Sequence, residues 1–229
     1  SLNNERQKIG HFFNTLGNIS AFHKCKLEKM KALKAAYLSE MFPVEGKSKP
    51  KRRFKDFTSS WVQEKMEQVI TINSGRDYKH LNKGDIPVYG TGGYMFSVDE
   101  ALSEYKDAIG IGRKGTINKP YLLKAPFWTV DTLFYTIPKA DFHLQFILAI
   151  FEKINWKQLD ESTGVPSLSK TIINKVIISV PNYEEQSKIG QFFQQLDILM
   201  NLYQRKLEKM KNIKKAYLNE MFVRGEQLS

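Results

Sequence analysis

The sequence holds one cysteine, Cys25, in 229 residues. An internal disulfide is therefore excluded, and a lone thiol fits the reducing environment of the cytoplasm. No apolar run approaches the roughly 20 residues that a membrane-spanning helix needs. The stretch "SLNNERQKIG" also lacks the apolar centre of a secretory leader. A cytoplasmic location with no membrane partner is the expectation. Only four histidines occur, His11, His23, His80 and His143, and they are scattered. With no H-E-x-x-H and no cysteine–histidine cluster, no metal site is expected. A Walker loop, a G-x-S-x-G elbow and the Asn-Pro-Pro-aromatic signature of amino-methyltransferases are missing too. The adjacent acids Asp160 and Glu161 read as a solvated loop pair. No catalytic residue and no cofactor are expected, and the chain reads as a binding protein. Acid is also scarce: 24 Asp and Glu against 35 Lys and Arg leave a net charge of +11. That excess points to a polyanionic partner, nucleic acid first.

What the sequence does have is a core-forming composition, 41% hydrophobic and 12% aromatic, and a long internal repeat. Residues 5–42, "ERQKIGHFFNTLGNISAFHKCKLEKMKALKAAYLSEMF", align without gaps on residues 185–222, "EQSKIGQFFQQLDILMNLYQRKLEKMKNIKKAYLNEMF", with 20 identities in 38 positions. Each copy carries a heptad stripe. Ile9, Leu16, His23, Met30 and Tyr37 recur in the first; Ile189, Leu196, Tyr203, Met210 and Tyr217 recur in the second. Phe12, Ile19 and Leu33, and Phe192, Leu199 and Ile213, add an intervening row. Such a stripe needs a partner helix. His23 replaces Tyr203 in the repeat and reads as a packed histidine, while Cys25 falls off the stripe. Asn182 and Glu185 suit an N-terminal cap; Pro43 and Gly225 are the expected stops. At about 1.5 Å per residue each copy makes a rod near 57 Å long. One rod enters the middle segment and the other leaves it, so the expected arrangement is antiparallel, stripe against stripe, carrying a globular head. A stripe left half-covered could also be completed by a second chain, so a homodimer is the other arrangement this pattern allows.

The head opens with "KSKPKRRFK", residues 47–55, six basic side chains and no acid. This linker either touches phosphates or is a solvated connector. "SSWVQEKMEQV" reads as a short helix capped at Ser59 or Ser60, and "VITIN" as a strand. "DIPVYGTGGYMFS" reads as a strand entering a glycine loop, and "FWTVDTLFYTIP" as a strand with Asp131 inside it. "DFHLQFILAIFEKI" is an apolar helix, and "SLSKTIINKVIISVP" a serine-capped helix followed by a strand. The expected class is α+β, a twisted sheet with flanking helices.

"AIGIGRKGTIN" spells G-x-G-x-x-G at Gly110, Gly112 and Gly115. A dinucleotide site needs a helix immediately afterwards, and "TINKPYLL" does not start one. The stretch reads instead as a glycine turn presenting Arg113, Lys114 and Thr116. Three further loops have the same chemistry. "INSGRDYKH" offers Ser74, Arg76, Tyr78 and Lys79; "YGTGGY" offers Tyr89, Thr91 and Tyr94; "DESTGVPSLSK" offers Thr163, Ser167, Ser169 and Lys170. Bases, hydroxyls and tyrosines on several loops are the means of holding a DNA backbone and reading base edges.

The passage from Pro181 through Glu185-Gln186, Ile189, Leu196-Asp197 and the lysine-rich run to Leu218 and Phe222 resembles the long helix of type I restriction–modification specificity subunits. "GDIPVYGTGGY", "IGIGRKGTI", "FWTVDTLFY" and "TGVPSLSK" resemble the segments of that family's target recognition domain. The resemblance implies a non-catalytic subunit in which one recognition domain, residues 43–180 with its basic linker at 43–60, lies between helices at 1–42 and 181–229. It implies double-stranded DNA as ligand, with each such domain reading one half of a split target. It also implies modification (methyltransferase) subunits docked on the helices, and restriction subunits engaged indirectly. Two departures stand out. One recognition domain is present where the family's full subunit has two, so the chain looks like a C-terminal half or a natural half-subunit. Gly17 stands where the second copy has Asp197. A coiled-coil scaffold whose head binds RNA or another protein is the competing reading.

Overall fold

The computed structural model describes residues 2–44, 46–160 and 162–222. Gly225 and Glu161 lie outside the described residues, as does the side chain of Phe222. In chain order the elements are α1 (Leu2–Glu40), β1 (Val62–Lys65), α2 (Met66–Val69), β2 (Ile70–Ser74), β3 (Lys83–Gly90), β4 (Gly93–Val98), β5 (Ala108–Gly112), β6 (Tyr121–Leu123), β7 (Trp128–Thr129), β8 (Leu133–Pro138), α3 (Leu144–Lys153), a 3-10 turn (Trp156–Leu159), α4 (Lys170–Lys175), β9 (Ile177–Val180) and α5 (Tyr183–Phe222). No helix among the described residues is long and apolar enough to cross a membrane.

The chain divides into two compact units. Ser1–Ala36 with Gln194–Ser229 form one, and Tyr37–Phe193 the other. These boundaries fall within α1 and α5.

In the first unit the two helices pack antiparallel. Contacts step forward along α1 as they step backward along α5: Phe12 meets Tyr217 edge-on at 5.0 Å, His23 meets Tyr203 at 5.9 Å, and Lys34 bonds Asp197 at 2.6 Å. His23 and Tyr203 are equivalent positions of the repeat, so the pair marks a local two-fold. Leu16, Leu27, Leu196 and Leu207 are buried in the seam. The intervening row read in the sequence holds only in part, with Phe12, Phe192 and Ile213 half-buried. Ile19, Leu33 and Leu199 are exposed, whereas the buried Leu27, Lys34 and Leu207 lie four residues after a stripe position. The doublets Phe12-Phe13 and Leu199-Met200 make both offsets apolar, and a lysine at position 34 conceals the true row. Cys25 is exposed.

In the second unit the repeat-equivalent ring pair, Tyr37 and Phe192, meets at 4.8 Å. Phe42 stacks on Phe193 and packs against Trp61 and Phe146. Helix α3 is buried from Gln145 to Phe151, with only Gln145 polar in that run, as expected for a helix inside a core. Full burial of a side chain such as Phe146 or Phe151 is worth about 1.5–3 kcal/mol. The Asn182 carboxamide accepts from the Glu185 backbone N–H at 3.0 Å, which is the expected cap of α5. The Glu185 side chain does not complete a capping box. It is fully buried and takes both Nε and Nη2 of Arg53 at 2.7 Å, a bidentate pair that holds the basic linker on α5. Arg52 is likewise taken by Glu40 at 2.7 Å.

Among the described residues three sheets form instead of one: β1-β9, β2-β8-β5-β6 and β4-β3-β7. Two local readings are corrected. "SSWVQEKMEQV" is helical only over Met66–Val69, because Val62–Lys65 pairs antiparallel with Ile177–Val180. That long-range ladder overrides a local helical preference. "FWTVDTLFYTIP" breaks into β7 and β8: Val130 donates to the Tyr89 carbonyl and Leu133 to the Val130 carbonyl, which places Asp131 in a turn.

Candidate nucleic-acid interface

The glycine turn after β5 is built by backbone crowding. A Cβ on Gly112 would stand 2.1 Å from the Thr116 carbonyl oxygen, so only glycine lets the chain fold back there. Gly115 has φ +87°, the left-handed region that glycine adopts freely. The turn is then tied down from two directions. Arg113 N–H donates to the Thr132 carbonyl at 2.8 Å. Gly115 N–H donates to the Pro166 carbonyl at 2.8 Å, and Leu168 N–H to the Arg113 carbonyl at 2.9 Å. No helix follows, and the backbone N–H groups of the turn are spent on protein carbonyls instead of being offered to a phosphate.

These bonds join the turn to the loop before α4. Asp160 fixes that loop by accepting from the backbone N–H groups of Ser162 and Ser167, each at 3.0 Å. Those bonds, Ser167 foremost, hold its carboxyl below the usual carboxylate range. Asp160 is thus a structural anchor, not the idle solvated acid expected from the sequence. Ser169 caps α4, its hydroxyl accepting from Ile172 N–H at 3.1 Å.

One cavity of about 490 Å³ results, lined by Ser74, Arg113, Lys114, Ser167, Ser169 and Lys170, with Ser162, Leu168, Ile172 and Phe134. The Phe134 ring has two cations within reach. The Arg113 guanidinium and the Lys170 ammonium each stand 5.9 Å from its centroid, a distance at which ring and cation attract. The Arg113 Nη1 also reaches the Asp131 carbonyl, but only at 3.4 Å, so its fork remains able to donate elsewhere. The cavity therefore offers three cations, Arg113, Lys114 and Lys170, with hydroxyl groups and an aromatic wall. That set suits a phosphate or the edge of a base.

Six of the fourteen nominated side chains meet in this cavity. The others lie elsewhere in the same unit. Thr163 is exposed on the loop that Asp160 pins, and Thr116 is half-buried in the turn. Thr91 adjoins the turn, its hydroxyl oxygen 4.0 Å from where a Cβ on Gly115 would sit. Tyr94 is 63% exposed on the β3–β4 hairpin, and Tyr89 lies 6.3 Å from it. Tyr121 supports the hairpin by donating to the Gly90 carbonyl at 2.6 Å; burial pushes its phenol pKa up, so it stays a donor. Arg76 and Lys79 are exposed on the loop after β2. Two tyrosines are packed: the Tyr78 ring lies edge-on against Phe96 at 4.8 Å, within the cluster around Val88 and Trp128, and Tyr89 packs against the cluster of Leu123, Phe127 and Tyr135. Sequence reading missed Phe134, hidden within a strand run, and Asp160. The spacing of Asp160 to Ser162, two residues on, is the turn signal that could have marked it.

An α+β domain lies in sequence between two copies of one helix, with the Arg113 turn and the segment before α4 lining an open cavity, and this is the build of a binding module. The model of the type I restriction modification DNA specificity domain matches residues 58–212, and the chain belongs to that family. Over 85 residues it is 27% identical to the type I restriction enzyme MjaVIII specificity subunit of Methanocaldococcus jannaschii, a match spanning 37% of this chain and 20% of that protein. The fold matches the type I restriction-modification S subunit from M. genitalium with a TM-score of 0.76 at 19% identity, over 96% of this chain and 61% of that one. It matches the HsdS subunit from Thermoanaerobacter tengcongensis with a TM-score of 0.60 at 15% identity, over 96% of this chain and 57% of that one. The chain thus spans about three-fifths of these structures' length.

Proposed function

We propose that this chain is a non-catalytic DNA-reading unit of a type I restriction–modification complex. It binds double-stranded DNA through the loops of its α+β domain and reads one half of a bipartite target. Its paired helices dock modification subunits, which carry the methyl transfer, and restriction subunits join through them. The observation that carries this reading is the cavity between β5 and α4, where the end of β2, the Arg113 turn and the segment leading into α4 present three cations and several hydroxyls around Phe134. Membership of the specificity-domain family supports the choice of duplex DNA over RNA.

Arg113 is the side chain assigned to a base edge or its adjoining phosphate, because its planar fork can donate two parallel bonds. The test is a competition between a selected target duplex and a scrambled one. Arg113→Ala should weaken target binding by about 1–3 kcal/mol, roughly 5- to 150-fold, and narrow the gap between the two duplexes. Equal binding of both duplexes by the unaltered chain would overturn the proposal. A preference for single-stranded RNA would favour the scaffold reading instead.

A further inference from the structure

Most of the net positive charge lies outside the unit that carries the reading loops. Residues 37–193 carry 21 Lys and Arg against 18 Asp and Glu, whereas the two helix segments outside them carry 14 against 6. Within the helix pair the imbalance has a local cause in the repeat. Lys34 bonds Asp197 at 2.6 Å. The equivalent positions under the 180-residue offset of the repeat are Lys214 and Gly17, so the second lysine has no acid in the matching place. Gly17 and Lys214 instead line an open groove of about 470 Å³ between the helices, together with Lys24, Lys31 and Lys211. Lys24 and Lys31 are seven residues apart, and Lys211 and Lys214 three, so each pair shares one helix face. The one acid on the groove, Glu28, is engaged with Lys31 at 3.1 Å, an exposed pair of little strength.

We infer that this lysine groove is a second, sequence-independent contact for the phosphates of duplex DNA, separate from the reading cavity. A row of ammonium groups over a floor of Leu27 and Leu207 gives point charges without base-reading geometry. The charge excess of the whole helix pair fits an extended polyanion better than a single carboxylate. The inference rests on the proposed function only for the identity of the polyanion.

The experiment titrates a labelled duplex of random sequence across a range of salt concentrations. One variant carries Lys24→Gln, Lys31→Gln, Lys211→Gln and Lys214→Gln, substitutions that keep helix propensity. The slope of log affinity against log salt should become shallower by about three to four, since each phosphate neutralised contributes about 0.9. The ratio of target to scrambled binding should not change. A second variant, Gly17→Asp, restores the missing acid. A Cβ there meets nothing within 4 Å, so the fold should be unharmed, and the slope should fall by about one. If both variants keep the original slope and affinity, the groove is not a phosphate site. If they lose a modification subunit while the slope stays the same, the groove takes a protein carboxylate and the assignment is wrong. Failure of the reading domain is distinguishable, because it would abolish the target-to-scrambled ratio in the unaltered chain.

Discussion

The Arg53–Glu185 pair gives the basic linker a role that neither sequence reading, phosphate contact or solvated connector, assigned to Arg53. If the linker were a solvated connector, removing Arg53 would change stability by no more than about 0.5 kcal/mol. The structure gives a different figure. The Glu185 side chain is 0% exposed and Arg53 12% exposed, and both guanidinium–carboxylate bonds are 2.7 Å. Bonding to Glu185 raises the guanidinium pKa above its already high ordinary value. Removing one partner of a buried pair strands the other, at a cost of about 3–5 kcal/mol. Arg53→Ala should approach that range, because the carboxylate it leaves is enclosed. Glu185→Ala should cost less, about 1–3 kcal/mol, because the arginine can turn its head toward water. The double variant should be milder than the two singles added together, by about 1–3 kcal/mol of coupling. Urea unfolding followed by circular dichroism gives all three values, with the denaturant slope unchanged. Additive single effects, or singles within about 0.5 kcal/mol of the unaltered chain, would refute the strap and return the linker to solvent.

Glycines at equivalent places in the repeat should behave oppositely. A Cβ on Gly190 would stand 2.6 Å from His143 Nδ1 and 2.8 Å from the Phe146 nitrogen, so Gly190→Ala should destabilise by about 1–3 kcal/mol; Gly10 has open space, and Gly10→Ala should stabilise by up to about 1 kcal/mol, both read from urea midpoints. Burial lowers the pKa of His143 from 6.5, so the folded chain binds that proton less readily than the unfolded one. Its contribution is therefore fully present above about pH 6.5 and is lost as pH falls below it; His143→Asn should flatten that acid-side decline in a pH series of unfolding curves. Removing the cap of α4 by Ser169→Ala should cost about 0.5–2 kcal/mol and increase hydrogen exchange along the cavity wall.

The helix pair was legible because two independent signals agreed, the seven-residue stripe and the ungapped repeat. Its fine register was not, because Phe12-Phe13, Phe192-Phe193 and Leu199-Met200 offer apolar side chains at both candidate offsets. The split of the strands into three sheets was hidden for a different reason. Pairing of Val62–Lys65 with Ile177–Val180 is a contact across more than a hundred residues, and nothing local encodes it. The cavity was partly legible. Glycine punctuation marked the Arg113 turn and serines marked the cap at Ser169, but their convergence depends on the bond from Gly115 to Pro166. Tyr78 shows the limit of composition: the same side chain suits a DNA contact or a packed edge, and only its neighbour Phe96 decides.

The most direct measurement is a binding selection by this chain on random duplexes, run in parallel with Arg113→Ala. The account predicts enrichment of one short contiguous motif by the unaltered chain, with preference at one of its positions relaxed in the variant. Recovery of duplexes with no shared motif, or an identical motif from both chains, would contradict a reading site built around the Arg113 turn.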